Sequence, residues 1–175
     1  MRNQLAEKTI PELREYFLRP GFIFVSRQPS LISTVLGSCV AVCLRDNLRE
    51  FGGMNHFLFP LVEDPGQATA KFGNVATNAL VRSFLKMGSD PEDLEAQIFG
   101  GALLADGLTS AAEVSHANVA IARHVLQRCG VRVVSEDVGG NKGRKLVYNS
   151  YTNQVMVIRV ERIRSGDWYP YHGSR

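Results

Sequence analysis

The sequence predicts an α+β fold: a single domain whose mixed β layers are covered by two main helices. Three observations carry that expectation. Short β-branched or aromatic runs recur between Gly, Pro and Asn/Asp punctuation. Residues 72–87 and 118–129 instead repeat their apolar side chains at helical spacing. The 175 residues, 45% of them hydrophobic, suffice for one buried core.

In chain order, residues 10–18 suit a short amphipathic helix with Pro11 near its start, broken by Pro20-Gly21. Residues 1–20 are therefore expected to be a peripheral segment. Residues 21–26 and 31–36 read as strands. Residues 39–45 form a third, 46–49 a turn, and 50–59 a return strand carrying Gly52-Gly53. After a polar loop at 63–69 comes the first helix, with Val75, Ala79, Leu80, Phe84 and Met87 at its apolar positions. Residues 94–99 make a strand ended by Gly100-Gly101. The second helix, 118–129, places Val119, Ala122, Val125 and Leu126 on one face, and Gly130 suits its C-terminal cap. Residues 131–134 are a further strand, and 145–148 with 154–160 a closing hairpin. The order strands, helix, strand, helix, strands gives helices packed on sheet. The body of the domain is 21–160, and 161–175 is a basic, aromatic tail expected to be flexible.

Composition narrows the function. A charged fraction of 21% argues against general disorder. A net charge of +3 is too weak to indicate a nucleic-acid partner. No apolar run is long enough for membrane insertion, and residues 1–18 mix charges throughout, unlike a signal peptide. A cytoplasmic protein is the expectation. The cysteines are Cys39, Cys43 and Cys129, an odd number without a disulfide framework, which suits reduced thiols.

One of these thiols has a candidate partner. If residues 39–59 form an antiparallel hairpin centred between Asn47 and Leu48, Arg45 faces Glu50, Leu44 faces Phe51 and Cys39 faces His56. Directly opposed side chains lie roughly 4.5–5.5 Å apart at Cβ. A bulge at Gly52-Gly53 would shift that register. An imidazole beside a thiol can take its proton and favour the thiolate. The small residues Gly37 and Ser38 would let backbone N–H groups approach a substrate carbonyl oxygen. A hydroxyl at Ser33 or Thr34 could orient the imidazole. Against this stands the inert alternative: a buried cysteine behaves as a small hydrophobe, the better reading for Cys43 and Cys129. Cys39, Cys43 and His56 lack a fourth ligand for zinc, so no metal is expected. The glycine-rich loop 139–143 lacks a P-loop pattern and reads as a turn.

These residues also carry a family resemblance. Residues 34–42, with their Gly37-Ser38-Cys39 run, and Gly52-Gly53-Met54-Asn55-His56-Phe57 with Pro60 resemble CheD, the bacterial chemoreceptor glutamine deamidase. Ile98-Phe99-Gly100-Gly101-Ala102, Asn118-Val119 and Asp137-Val138-Gly139-Gly140 agree with it. The resemblance spans residues 20–160. It implies a fold similar to cytotoxic necrotising factor-type cysteine hydrolases. It also implies hydrolysis of receptor glutamines to glutamate without a metal or organic cofactor. The family cysteine falls on Cys39, its histidine on His56 and its threonine on Ser33, with Thr34 as neighbouring alternative and Ser38 as site support. The implied partners are the cytoplasmic region of methyl-accepting chemotaxis receptors and a CheC-type phosphatase. The competing implication is a non-catalytic module that binds receptor or adaptor.

Overall fold

Side-chain alternation along the strands sets the architecture. In the computed structural model, which describes residues 11–103 and 109–168, the chain forms nine strands and two long helices among those residues. The strands are β1 (Arg14–Phe17), β2 (Phe22–Ser26), β3 (Ser30–Leu36), β4 (Val40–Asp46) and β5 (Phe51–Phe57), then β6 (Leu94–Gly100), β7 (Arg132–Val138), β8 (Gly143–Asn149) and β9 (Gln154–Val160). Helix α1 (Gly73–Lys86) precedes β6 and α2 (Thr109–Arg128) follows it. The strands make a four-stranded sheet, β1-β3-β8-β9, and a five-stranded sheet, β2-β5-β4-β6-β7.

The five-stranded sheet is central, because β4 and β5 are buried at every position. On one face, Val40, Val42, Leu44, Phe57 and Ile98 pack under Leu80, Phe84, Ala122 and Leu126 of the two helices. On the other, Cys39, Ala41, Cys43, Met54 and Phe99 pack against Ile32, Leu36, Leu146 and Tyr148 of the four-stranded sheet. The result is helices, sheet, sheet: the α+β arrangement with two main helices and mixed β layers that the sequence predicts.

Three local expectations change. The helix expected over residues 10–18 is strand β1, paired in parallel with β3, and Leu18 is fully buried. Its residues show no strand alternation, and pairing along the open edge of β3 decides for the strand. The peripheral segment drawn at 1–20 thus enters the sheet from Arg14 onward, while its residues 1–10 lie outside the described residues. Helix α2 begins at Thr109, before the apolar stripe starts, because Ala and Ser residues propagate a helix without marking a face. Strand β7 runs on to Val138 through polar residues, as a sheet edge allows. Of the tail at 161–175, Ser165–Trp168 form a short helix α3, and Lys145 Nζ bonds Asp167 at 2.8 Å. Residues 169–175 lie outside the described residues.

Candidate active site

The β4–β5 hairpin forms, but its register differs from the sequence expectation. Asp46 pairs with Phe51 and Ala41 pairs with His56, so the turn spans residues 47–50 rather than 46–49. Asp46 holds that turn by accepting from the Arg49 backbone N–H at 2.7 Å, and Glu50 takes a positive φ of 56°. Arg45 accordingly faces Gly52 rather than Glu50. No bulge interrupts the pairing at Gly52-Gly53. The glycine at 52 serves close approach, since a Cβ there would come within 2.6 Å of the Tyr148 hydroxyl.

A shift of two residues preserves the alternation of faces. Cys39, just ahead of β4, still projects into the same layer as Ala41 and Cys43. His56 sits opposite Ala41, so Cys39 is its diagonal neighbour rather than its direct one. Such positions are roughly 7–8 Å apart in a regular sheet, within reach of a long or aromatic side chain.

Of the two hydroxyls considered, Ser33 and Thr34, it is Thr34 that meets His56. Thr34 Oγ1 lies 2.8 Å from His56 Nδ1. Adjacent strand residues point to opposite faces. Ser33 therefore turns outward, where it shares a surface depression with Glu15, Leu31 and Val147. Thr34 turns inward and is fully buried beside His56. Its hydroxyl proton goes to the Leu18 carbonyl at 2.7 Å. A hydroxyl has one proton to give, so toward His56 the Thr34 oxygen accepts. That fixes the proton of a neutral His56 on Nδ1 and leaves a lone pair on Nε2, an atom shut off from solvent. The Leu18 carbonyl thus sets the tautomer through one intervening hydroxyl.

The turn that presents Cys39 is pinned by three successive carbonyls. Gly37 O accepts from Ala102 N–H at 2.9 Å, and Cys39 O from Gly101 N–H at 2.8 Å. Ser38 O accepts from Asn118 Nδ2 at 3.1 Å. Gly100 has φ +111°, and a Cβ on it would fall 2.2 Å from Cys39 O. The glycine pair ending β6 is therefore the floor against which the Cys39 backbone rests. Cys43 is core packing, its thiol directed at Met54 Sδ across 3.5 Å. Cys129 is half-buried just past the end of α2.

Sequence reasoning missed Leu18, Asn118 and the role of Gly100. Leu18 acts through its backbone, which leaves no side-chain signal. Asn118 did leave one: a polar residue in line with the buried stripe of α2.

Burial dominates the electrostatics. It pushes the Cys39 thiol up from 9.0 to about 12, an effect only partly opposed by its own backbone N–H directed at the sulfur. It pushes His56 down from 6.5 to about 3. The resting pair is a neutral thiol beside a neutral imidazole. Between pH 6.5 and about 3, the unfolded chain binds a proton that folded His56 refuses, so stability falls as pH drops through that window. Between pH 9.0 and about 12 the unfolded chain releases the Cys39 proton that the folded state keeps, so stability falls as pH rises. Urea midpoints are expected to be flattest between these windows. His56→Gln is expected to lose less stability than the unsubstituted protein on going from neutral pH to pH of about 4.5. Equal losses would contradict a buried neutral His56.

Comparisons with known proteins identify the family. A family model described as CheD chemotactic sensory transduction matches residues 61–159. The probable chemoreceptor glutamine deamidase CheD of Trichlorobacter lovleyi is 40% identical over 155 residues, covering 89% of this chain and 96% of that protein. Its counterpart in Sulfurimonas denitrificans is 37% identical over 152 residues, covering 86% and 97%. The probable chemoreceptor glutamine deamidase CheD 1 of Anaeromyxobacter dehalogenans is 42% identical over 135 residues, covering 77% and 78%. These alignments are long enough to take in most of the hairpin as well as the later strands. Among solved structures, the hypothetical protein YfiH of Bacillus licheniformis aligns at TM-score 0.39 and 14% identity, covering 63% of this chain and 49% of that one.

Proposed function

Because the chain belongs to the CheD family, we propose that it is a protein-glutamine glutaminase, hydrolysing selected glutamine side chains of methyl-accepting chemoreceptors to glutamate. The observation that carries the reading is the Thr34–His56 contact on the face that also bears Cys39. That contact supplies an oriented base, and Cys39 supplies the nucleophile. Residues 21–160 form the catalytic body, with Leu18 and the preceding strand β1 as a necessary addition.

In the mechanism, His56 Nε2 takes the Cys39 proton as sulfur attacks the carboxamide carbon. Both groups are buried and neutral at rest, so a separated ion pair forming beforehand is disfavoured. Proton transfer therefore belongs with carbon–sulfur bond formation. Backbone N–H groups at Ser38 and Cys39 receive the developing oxyanion. His56 then protonates the departing nitrogen, the C–N bond breaks, and ammonia leaves a thioester. Water attacks that carbon while His56 takes its proton. The C–S bond breaks, glutamate is released and the thiol is restored. Each step uses only side chains, backbone donors and water. A glutamate methyl ester fits the same chemistry.

This reading takes the substrate region to be the receptor's cytoplasmic part, and with it a cytoplasmic location for this protein. Among the described residues no helix is long and apolar enough to cross a membrane. The exposed Phe22, cross-strand from His56, and the Arg19 guanidinium 5.0 Å over its ring form a rim where a receptor side chain can enter. A CheC-type phosphatase is a second partner by family resemblance, checked by whether the two proteins co-elute.

Intact-mass analysis of a receptor cytoplasmic fragment tests the function. Incubation is expected to raise its mass by about 1 Da per converted glutamine, as nitrogen is replaced by oxygen. An unchanged mass, with the fragment still bound, would instead favour a non-catalytic binding module. The triad assignment has its own test. Thr34→Val is expected to lower kcat by about 10–100-fold, because the imidazole loses the acceptor that orients it. Ser33→Ala is expected to stay within about 2-fold, since its side chain lies on the opposite face. The reverse ranking would restore Ser33 as third residue.

A further inference from the structure

The strand ladder stops one residue short of the nucleophile. Its last β4–β5 pair is Val40 with Phe57, so Cys39 lies beyond regular pairing. Asn118 of α2 takes over at that point. Its Nδ2 donates to Ser38 O at 3.1 Å and to Leu58 O at 2.9 Å. A primary amide nitrogen carries two hydrogens, one for each carbonyl. One side chain therefore ties the residue before Cys39 to the residue after Phe57, where the backbone ladder no longer does so. Asn118 is fully buried, and its Oδ1 has no hydrogen-bond partner among the described residues.

The direction of the first bond matters most. Helix α2 packs on the helix-covered face of the central sheet, so Asn118 draws Ser38 O toward that face. The Ser38–Cys39 peptide is trans, and its C=O and N–H point in opposite directions. The Cys39 N–H is thus turned toward the layer that holds its sulfur, His56 and Thr34. Its contact with its own Sγ fits that direction.

We infer that Asn118 is a positioning residue for the oxyanion site: by holding the Ser38 carbonyl it aims the Cys39 N–H at the oxygen of the tetrahedral intermediate. The inference rests on the amide-hydrolysis reading of the site. Ser115 and Val119, on the same helix, press on the Gly101-Ala102 segment that pins the other two carbonyls. Asn118 and Ser115 are thus the polar members of a platform that α2 makes for the nucleophile turn.

Asn118→Ala and Asn118→Asp decide the matter on a receptor cytoplasmic fragment. Both remove the paired donors. In folded protein, kcat is expected to fall about 100-fold while KM stays within about 3-fold, because the lost interaction is made only in the transition state. Alkylation of Cys39 by iodoacetamide, followed by peptide mapping, develops no oxyanion and is expected to change less than about 3-fold. A kcat near that of the unsubstituted protein overturns the inference. So does a parallel fall in kcat and alkylation, which would make Asn118 a support for the sulfur alone.

If neither variant folds, the unsubstituted protein is titrated with a peptide whose glutamine carboxamide is replaced by an aldehyde. The hemithioacetal oxygen is expected to shift the Cys39 amide proton downfield while the Asn118 side-chain protons stay protected from exchange. An unmoved Cys39 amide, or freely exchanging Asn118 protons, overturns the inference. A protein that releases no ammonia from the receptor fragment refutes the deamidase reading, and the aldehyde titration then still judges Asn118 separately.

Discussion

Replacing Cys39 by serine is expected to lower ammonia release roughly 10⁴–10⁶-fold, the range for removing a member of a nucleophile–base unit. The substitution changes little in the packing, because Ser fits the space and the buried pocket beside Leu36, Ala41 and Phe99 is retained. What it removes is a polarisable sulfur that can attack without complete deprotonation. A serine hydroxyl is a much weaker acid, and the neighbouring imidazole is made a poor base by burial. His56→Gln is expected to lose activity comparably, since the mechanism assigns His56 as the acceptor of the thiol proton. The double variant is expected to be no slower than the worse single one, because the two groups act as a unit. Ammonia release gives the rates, and circular dichroism with thermal melting establishes that the variants remain folded. Activity in folded Cys39→Ser within about 10-fold of the unsubstituted protein would remove the thiol from the mechanism.

The second large effect is expected at a position with no reactive group. Gly100→Ala places a methyl 2.2 Å from the Cys39 carbonyl oxygen, at a backbone φ of +111°. The obstacle is backbone, which cannot swing aside as a side-chain tip would. The strained conformation alone costs about 1–3 kcal/mol for a residue with a Cβ. The Cys39 carbonyl must then move, and with it the bond it accepts from Gly101. A displacement near 1 Å at a nucleophile is worth about 100-fold in rate. The variant is expected to lose at least about 2 kcal/mol of stability in urea titration. Its folded fraction is expected to lose about 100-fold in kcat. By contrast Gly139→Ala, whose Cβ meets nothing within 4 Å, is strained by its positive φ alone and is expected to keep its kcat. Equal behaviour of the two would mean that Gly100 does not support Cys39.

What the sequence disclosed follows from how far each signal reaches. The alternation in residues 39–45 and 50–57 was enough to put Cys39 and His56 on one face, and that survives a register error of two. The turn was not legible. Its four residues depend on the Asp46 carboxylate and on Glu50 entering a left-handed conformation, neither of which composition marks. Ser33 and Thr34 could not be separated, because period-two alternation says that neighbours differ in face and not which face is inward. Only the second sheet, pairing β3 with β8, settles that. The helix expected at 10–18 failed because four residues beside an open strand edge are decided by tertiary pairing. Asn118 was in view as a matched residue, yet its two carbonyl partners lie far away in sequence.

The burial of Cys39 has a consequence for survival as well as rate. Peroxides attack thiolates that solvent can reach. Cys39 is 5% exposed, and burial pushes its thiol pKa up, away from the thiolate. Burial raises the thiol pKa of Cys129 as well, but Cys129, just past the end of α2, is the more accessible of the two to an oxidant. Such a molecule keeps its competence through oxidative episodes and reveals its nucleophile only to a side chain that comes inside.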